Sequence, residues 1–196
     1  IEVFKETDNE VLKVIDIVNK TTITQSNKKI NHFNELDSVV YIATDYGISV
    51  YNLENLEFGD TFFIGIGGAQ VNVSQTTIFN NYIYASCLGG NGIKKADITS
   101  SNLIDFQNWQ LIFPGNWSAI ASEDGVLYAT DTNRKLYQII NDVTNEVFFY
   151  SEAPEDLRFE NGKLIVTTQN NVFVYDSNFN LISKIKQTPN AYSLAP

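Results

Sequence analysis

The feature that most constrains this chain is an internal repeat. Four segments share one pattern: Val40-Tyr41-Ile42-Ala43-Thr44, Tyr82-Ile83-Tyr84-Ala85-Ser86, Val126-Leu127-Tyr128-Ala129-Thr130 and Leu164-Ile165-Val166-Thr167-Thr168. Taking Ala43, Ala85, Ala129 and Thr167 as equivalent gives steps of 42, 44 and 38 residues. A tight-turn signal precedes each segment: Asp37-Ser38, Asn80-Asn81, Asp124-Gly125 and Asn161-Gly162. Such pairs favour the type I′ hairpin turn, whose two central residues both need positive φ. Two independent markers therefore agree to within a residue.

Each segment is followed by a second turn and another strand, at 48–51, 93–96, 136–140 and 172–175. A further apolar strand comes next, at 57–64, 109–113, 146–150 and 181–185. The strand before each hairpin reads as 30–33, 71–74, 117–120 and 157–159. Four strands per unit of this length is the signature of a β-propeller blade. The expected fold is all-β: four-stranded antiparallel blades, about four to five of them, cut from a larger, seven-bladed ring. Repeats fall at 28–65, 70–113, 116–150 and 155–186, with blade fragments 1–20 and 190–196 at the ends. Residues 1–4 match a third strand, 11–17 a fourth, and 192–195 a first. With no Met and a start at Ile1, the 196 residues read as a processed or excised piece of a longer protein. No helix is convincing beyond one short turn within 101–107. Small residues such as Ala43, Ala85 and Ala129 are expected where neighbouring sheets come closest.

Composition excludes several functions. With 13 basic against 23 acidic residues, a net charge of −10 opposes binding to phosphate backbones, so nucleic acid is not expected as a partner. One cysteine, Cys87, excludes an internal disulfide, and one histidine, His32, excludes a multi-histidine metal site. No apolar run approaches the roughly 20 residues of a transmembrane helix. Gly65-Ile66-Gly67-Gly68 resembles a phosphate loop, but a strand and not a helix follows it, so an interblade turn is expected.

Single residues carry little chemistry. His32 lies on a first strand, where a general base is conceivable and a structural or solvated role is the stronger reading. Cys87 is expected to be a buried, inert thiol. Glu35, Glu123, Asp156 and Glu160 are dispersed among turns and read as solvated charges, with no calcium-loop spacing. Trp109, Trp117 and Asn116 are a possible ligand or partner surface, because aromatics beside Asn and Gly can stack on sugar faces. Packing between blades is the stronger reading for the two indoles. No catalytic, cofactor or metal residue is assigned.

The run from Tyr41 through Asp45-Tyr46-Gly47 to Tyr51-Asn52 resembles the regulator-type propeller repeat of Bacteroidetes sensors and surface proteins. Leu56-Glu57-Phe58-Gly59-Asp60-Thr61-Phe62-Phe63-Ile64-Gly65 is similar, more specifically, to the PorZ-like family of the type IX secretion system. So are Gly92-Ile93-Lys94-Lys95-Ala96-Asp97-Ile98 and Leu103-Ile104-Asp105-Phe106-Gln107-Asn108-Trp109. The resemblance implies an exported, non-enzymatic protein at the outer-membrane surface or in the periplasm of a Gram-negative bacterium. It implies partners resembling PorU (a sortase-like cysteine protease), PorV and PorQ, and the presentation of anionic lipopolysaccharide for cargo anchoring. It brings no active-site residues. The alternatives are the oligosaccharide-sensing propeller of a hybrid two-component regulator, and a propeller lactonase or lyase.

Overall fold

The computed structural model describes residues 1–5 and 10–186. Four antiparallel four-stranded sheets form the blades of a β-propeller. Ahead of them stand a two-stranded sheet, β1 (Glu2–Lys5) and β2 (Glu10–Lys13), and a helix α1 (Asp16–Asn19). Blade 1 is β3 (Ile30–Leu36), β4 (Val39–Thr44), β5 (Gly47–Asn52) and β6 (Glu57–Phe62). Blade 2 is β7 (Val73–Phe79), β8 (Tyr82–Cys87), β9 (Gly92–Asp97) and β10 (Gln110–Phe113). Blade 3 is β11 (Trp117–Glu123), β12 (Val126–Asp131), β13 (Lys135–Ile140) and β14 (Val143–Phe149). Blade 4 is β15 (Pro154–Glu160), β16 (Lys163–Thr168), β17 (Asn171–Tyr175) and β18 (Leu181–Lys186).

The turns between first and second strands explain the pairing. Asn80 and Asn81, Asp124 and Gly125, and Asn161 and Gly162 all have positive φ, as a type I′ turn requires, and Asp37 does as well. The same residue types that read as turn signals are those that tolerate the left-handed region.

The first strand of every blade carries a β-bulge at the same place. Register breaks fall between Ile30 and His32, Val73 and Gln75, Trp117 and Ala119, and Pro154 and Asp156. Beyond the bulges, His32 pairs with Ala43, Gln75 with Ser86, Ala119 with Thr130, and Asp156 with Thr167. The structural counterpart of Ala43 is therefore Ser86 and not Ala85, which corrects the alanine alignment by one residue. The turn pairs give the right frame. A shift of one residue reverses the face a side chain presents, and Ala43 and Ala85 accordingly both enter the core between blades 1 and 2.

Three apolar layers join the blades. Tyr41, Ile48 and Phe62 pack with Val73, Ile83 and Cys87 between blades 1 and 2. Tyr84 and Ile93 meet Ile120, Leu127 and Ala129 between blades 2 and 3. Leu136 and Tyr150 meet Leu164, Val166 and Phe173 between blades 3 and 4. Ala43, Ala85 and Ala129 are fully buried, as close approach of sheets demands.

Several elements differ from the sequence expectation. The fourth strand expected at 11–17 ends at Lys13, and the chain turns into α1 so that Ile17, with Ile23, enters the core over Ile42, Tyr46 and Tyr51. Single 3-10 turns form at Gln25–Asn27, Ile66–Gly68 and Phe106–Asn108, the last overlapping the end of the segment 101–107 where a helical turn is expected. The first strands of all four blades run past their expected ends, to Leu36, Phe79, Glu123 and Glu160, that of blade 2 begins two residues late, and that of blade 4 begins three residues early. Their extensions carry polar residues, so no apolar run marks them. The expected strand at 192–195 lies outside the described residues.

Candidate functional site

The four first strands β3, β7, β11 and β15 gather around one cavity of about 780 Å³. Because these strands are innermost, both of their faces contribute to its wall. At its base, one side chain joins all four blades. Gln75, buried on β7, accepts hydrogen bonds at Oε1 from Ile120 N–H and Leu157 N–H, each at 3.3 Å. Its Nε2 donates to Leu157 O at 2.6 Å and lies 3.2 Å from His32 Nε2.

The geometry fixes the protons. Two backbone donors hold the Gln75 oxygen in place, so its amide nitrogen must face His32. A nitrogen that donates needs an acceptor, so His32 Nε2 is unprotonated and the ring carries its proton on Nδ1. Burial first, and the positive charge of Arg158 second, push the His32 pKa down to about 4, so the ring is neutral at pH 7. His32 Nδ1 is buried and has no partner among the described residues. The same holds for Asn34 Nδ2 and Thr76 Oγ1. All three residues line the cavity.

Asp156 occupies on β15 the place that His32 holds on β3 and Gln75 on β7. It is buried and accepts from Arg158 Nε and Nη2 at 3.2 and 3.1 Å. Burial raises its pKa, and the Arg158 guanidinium opposes that rise. Asp156 is thus a buried, paired carboxylate, a correction to its reading as a solvated turn charge. Glu35 and Glu160 are exposed at the cavity wall, and Glu123 is half-buried outside it.

Of the residues singled out from the sequence, His32, Glu35 and Glu160 line the cavity together, whereas Trp109 and Trp117 enter different interblade cores. Trp109 is buried between blades 1 and 2, donating from Nε1 to Leu103 O at 2.9 Å beside the Phe62 ring. Trp117 is buried between blades 2 and 3, donating to Pro114 O at 3.1 Å against Tyr137. Asn116 is exposed, and its Oδ1 accepts Gly90 N–H at 2.7 Å. Cys87 is buried, and desolvation pushes its thiol up to about 12. Among the described residues no group of three or more His, Cys, Asp or Glu is placed to hold a metal ion.

Sequence reasoning missed Gln75, Asn34 and Thr76. A usable signal was present: His32, Gln75, Ala119 and Asp156 each stand five residues before the turn residues Asp37, Asn80, Asp124 and Asn161. The turn frame picks out the equivalent position just past the bulge on each first strand.

Comparison with known proteins follows from this architecture. The family model for the type IX secretion system PorZ N-terminal β-propeller domain matches residues 1–110. This chain belongs to that family. PorZ of Porphyromonas gingivalis, described as an essential bacterial surface component of the type IX secretion system, has a solved structure that matches with TM-score 0.72 at 13% identity. That match covers 95% of this chain and 24% of the PorZ chain, so this chain spans about a quarter of the PorZ length. A chain of the mitotic checkpoint complex matches at TM-score 0.64 and 11% identity, over 94% of this chain and 57% of that one. The designed protein Ika8 matches at 0.53 and 13%, over 80% and 49%. At such identities these likenesses speak for the propeller fold alone. No curated protein sequence matches the chain. Among the described residues no helix is long and apolar enough to cross a membrane.

Proposed function

We propose that this PorZ-family propeller is a non-catalytic scaffold and binding module of the type IX attachment complex, exported and held at the outer-membrane surface. The observation that carries this reading is the family match over residues 1–110. In this role it contacts partners resembling PorU, PorV and PorQ and helps present anionic lipopolysaccharide to the sortase-like protease during cargo anchoring. The state of the two most reactive side-chain types favours a scaffold. The Cys87 thiol is buried and protonated at neutral pH, and the His32 ring is engaged by Gln75 with its pKa near 4. Neither is poised as a nucleophile or a general base at pH 7.

The test is isolation of the tagged full-length protein from outer membranes of its source bacterium. The sortase-like protease and the barrel partners are expected to co-purify with it. Recovery free of all of them contradicts the attachment role.

A further inference from the structure

We propose that Asn161, in the turn between β15 and β16, is a site of spontaneous deamidation. The inference rests on the turn itself and does not depend on membership of an attachment complex.

The chain holds two Asn-Gly pairs, Asn91-Gly92 and Asn161-Gly162. A glycine after asparagine opens its backbone nitrogen to the side-chain amide, because no Cβ shields it. The fold treats the two pairs oppositely. Gly92 is buried, and its N–H donates to Gly115 O at 2.9 Å. A Cβ on Gly92 would run into Phe113 O and Leu111 Cδ1, so the space beside it is filled. The Asn91 amide is itself tied down, donating from Nδ2 to Leu88 O at 2.8 Å.

Asn161 and Gly162 are both exposed. Glu160 pairs with Lys163, so the two residues between them lie outside the ladder. The Gly162 N–H meets no acceptor among the described residues, and nothing stands within 4 Å of where a Gly162 Cβ would lie. Asn161 Nδ2 donates to Glu160 Oε1 at 2.9 Å, an exposed bond that does not involve the Gly162 nitrogen.

The step balances with water as co-reactant. Hydroxide takes the Gly162 N–H proton, the nitrogen attacks Asn161 Cγ, and the Cγ–Nδ2 bond breaks. Nδ2 takes up a proton from water and leaves as ammonia. Water then adds to either carbonyl of the cyclic imide, and a ring C–N bond opens to give aspartate or isoaspartate. Nothing is oxidised or reduced. The two products fit the turn differently. Asp37 and Asp124 hold the equivalent position in blades 1 and 3 at positive φ, so aspartate preserves the turn. Isoaspartate lengthens the main chain by one methylene and does not close the same turn. Either product sets a new carboxylate next to Glu160, in the wall of the axial cavity.

The test is peptide mapping by mass spectrometry after the folded chain has stood in warm, mildly alkaline buffer. Cleavage after Arg158 and Lys163 isolates Asn161 as the lone asparagine of its peptide. Asn161 is expected to convert at least about tenfold faster than Asn91, the factor for the one hydrogen bond that must break at Gly92. In guanidinium chloride the two rates are expected to converge, as Asn91 speeds up. Conversion of Asn161 in the folded chain no faster than that of Asn91 overturns the proposal. So does a gap that persists in denaturant, because the flanking residues and not the fold would then set the rate.

Discussion

At the scale of single residues, Gln75 holds the axis together. Its amide satisfies two backbone N–H groups and one carbonyl of blades 3 and 4, and it also meets His32 of blade 1. Gln75→Leu leaves those buried groups unpaired in a place water reaches poorly. Urea denaturation is expected to show a loss of about 3 kcal/mol, since each orphaned buried group costs about 1–3 kcal/mol and the effects overlap. A change under 1 kcal/mol would mean that solvent already serves these groups. His32 gives a pH signature. Its pKa in the fold is about 4 against an ordinary value of 6.5, so the unfolded chain takes up the proton first. The contribution of His32 is complete above pH 6.5 and is lost as pH falls toward 4, by at most about 3 kcal/mol. His32→Gln keeps an acceptor for Gln75 and does not titrate. Stability measured from pH 7 down to 4 is expected to fall less steeply in this variant than in the wild type. Parallel curves would contradict the assignment.

At the scale of elements, the third strands of blades 1 and 2 begin on glycines that nothing else can replace. Gly47 and Gly92 both have positive φ, and a Cβ on either would run into the carbonyl oxygen of the adjoining fourth strand, Phe62 O or Phe113 O. Gly92→Ala combines backbone strain with that clash and is expected to lower stability by about 1–3 kcal/mol in thermal or urea unfolding. Gly90, with positive φ and open space around it, serves as the comparison and should lose less on the same substitution. The elements also show what was legible beforehand. Middle strands such as Ile83 to Cys87 announced themselves because sheets cover both of their faces. Turn pairs such as Asp124-Gly125 were legible because only certain residues accept positive φ. The first strands were legible only in part. Asn34, Glu35, Gln75, Thr77 and Arg158 are polar because they surround a cavity, and a search for apolar runs stops where they begin. The α1 segment was misread because Val11 to Ile17 is apolar enough for a strand, while the burial of Ile17 and Ile23 over blade 1 decides otherwise. The bulges leave no mark of their own in the sequence, and an alignment on the alanines of the second strands is one residue out against the frame of the turn pairs. Gln75, Asn34 and Thr76, which escaped the sequence reading, stand in the candidate site beside His32, Glu35 and Glu160, which did not.

At the scale of the whole molecule, three interblade cores and one polar hub hold the propeller, and the innermost strands leave a lined opening on the axis. This arrangement divides the work: the cores fix the blades, and the axis is free to carry recognition. Trp109 and Trp117, the largest side chains in the chain, belong to the cores. The net charge of −10 disfavours approach to phosphate backbones and says little of its partner. The family match and the propeller together place the chain with a component of the type IX secretion system. The role proposed for it there is cargo attachment. The most direct measurement is deletion of the encoding gene in the source bacterium, followed by quantification of type IX cargo on the cell surface and in the medium. Surface-anchored cargo is expected to be lost, with unprocessed cargo accumulating, and the reintroduced gene is expected to restore anchoring. Normal secretion and normal anchoring in the deletion strain would contradict it.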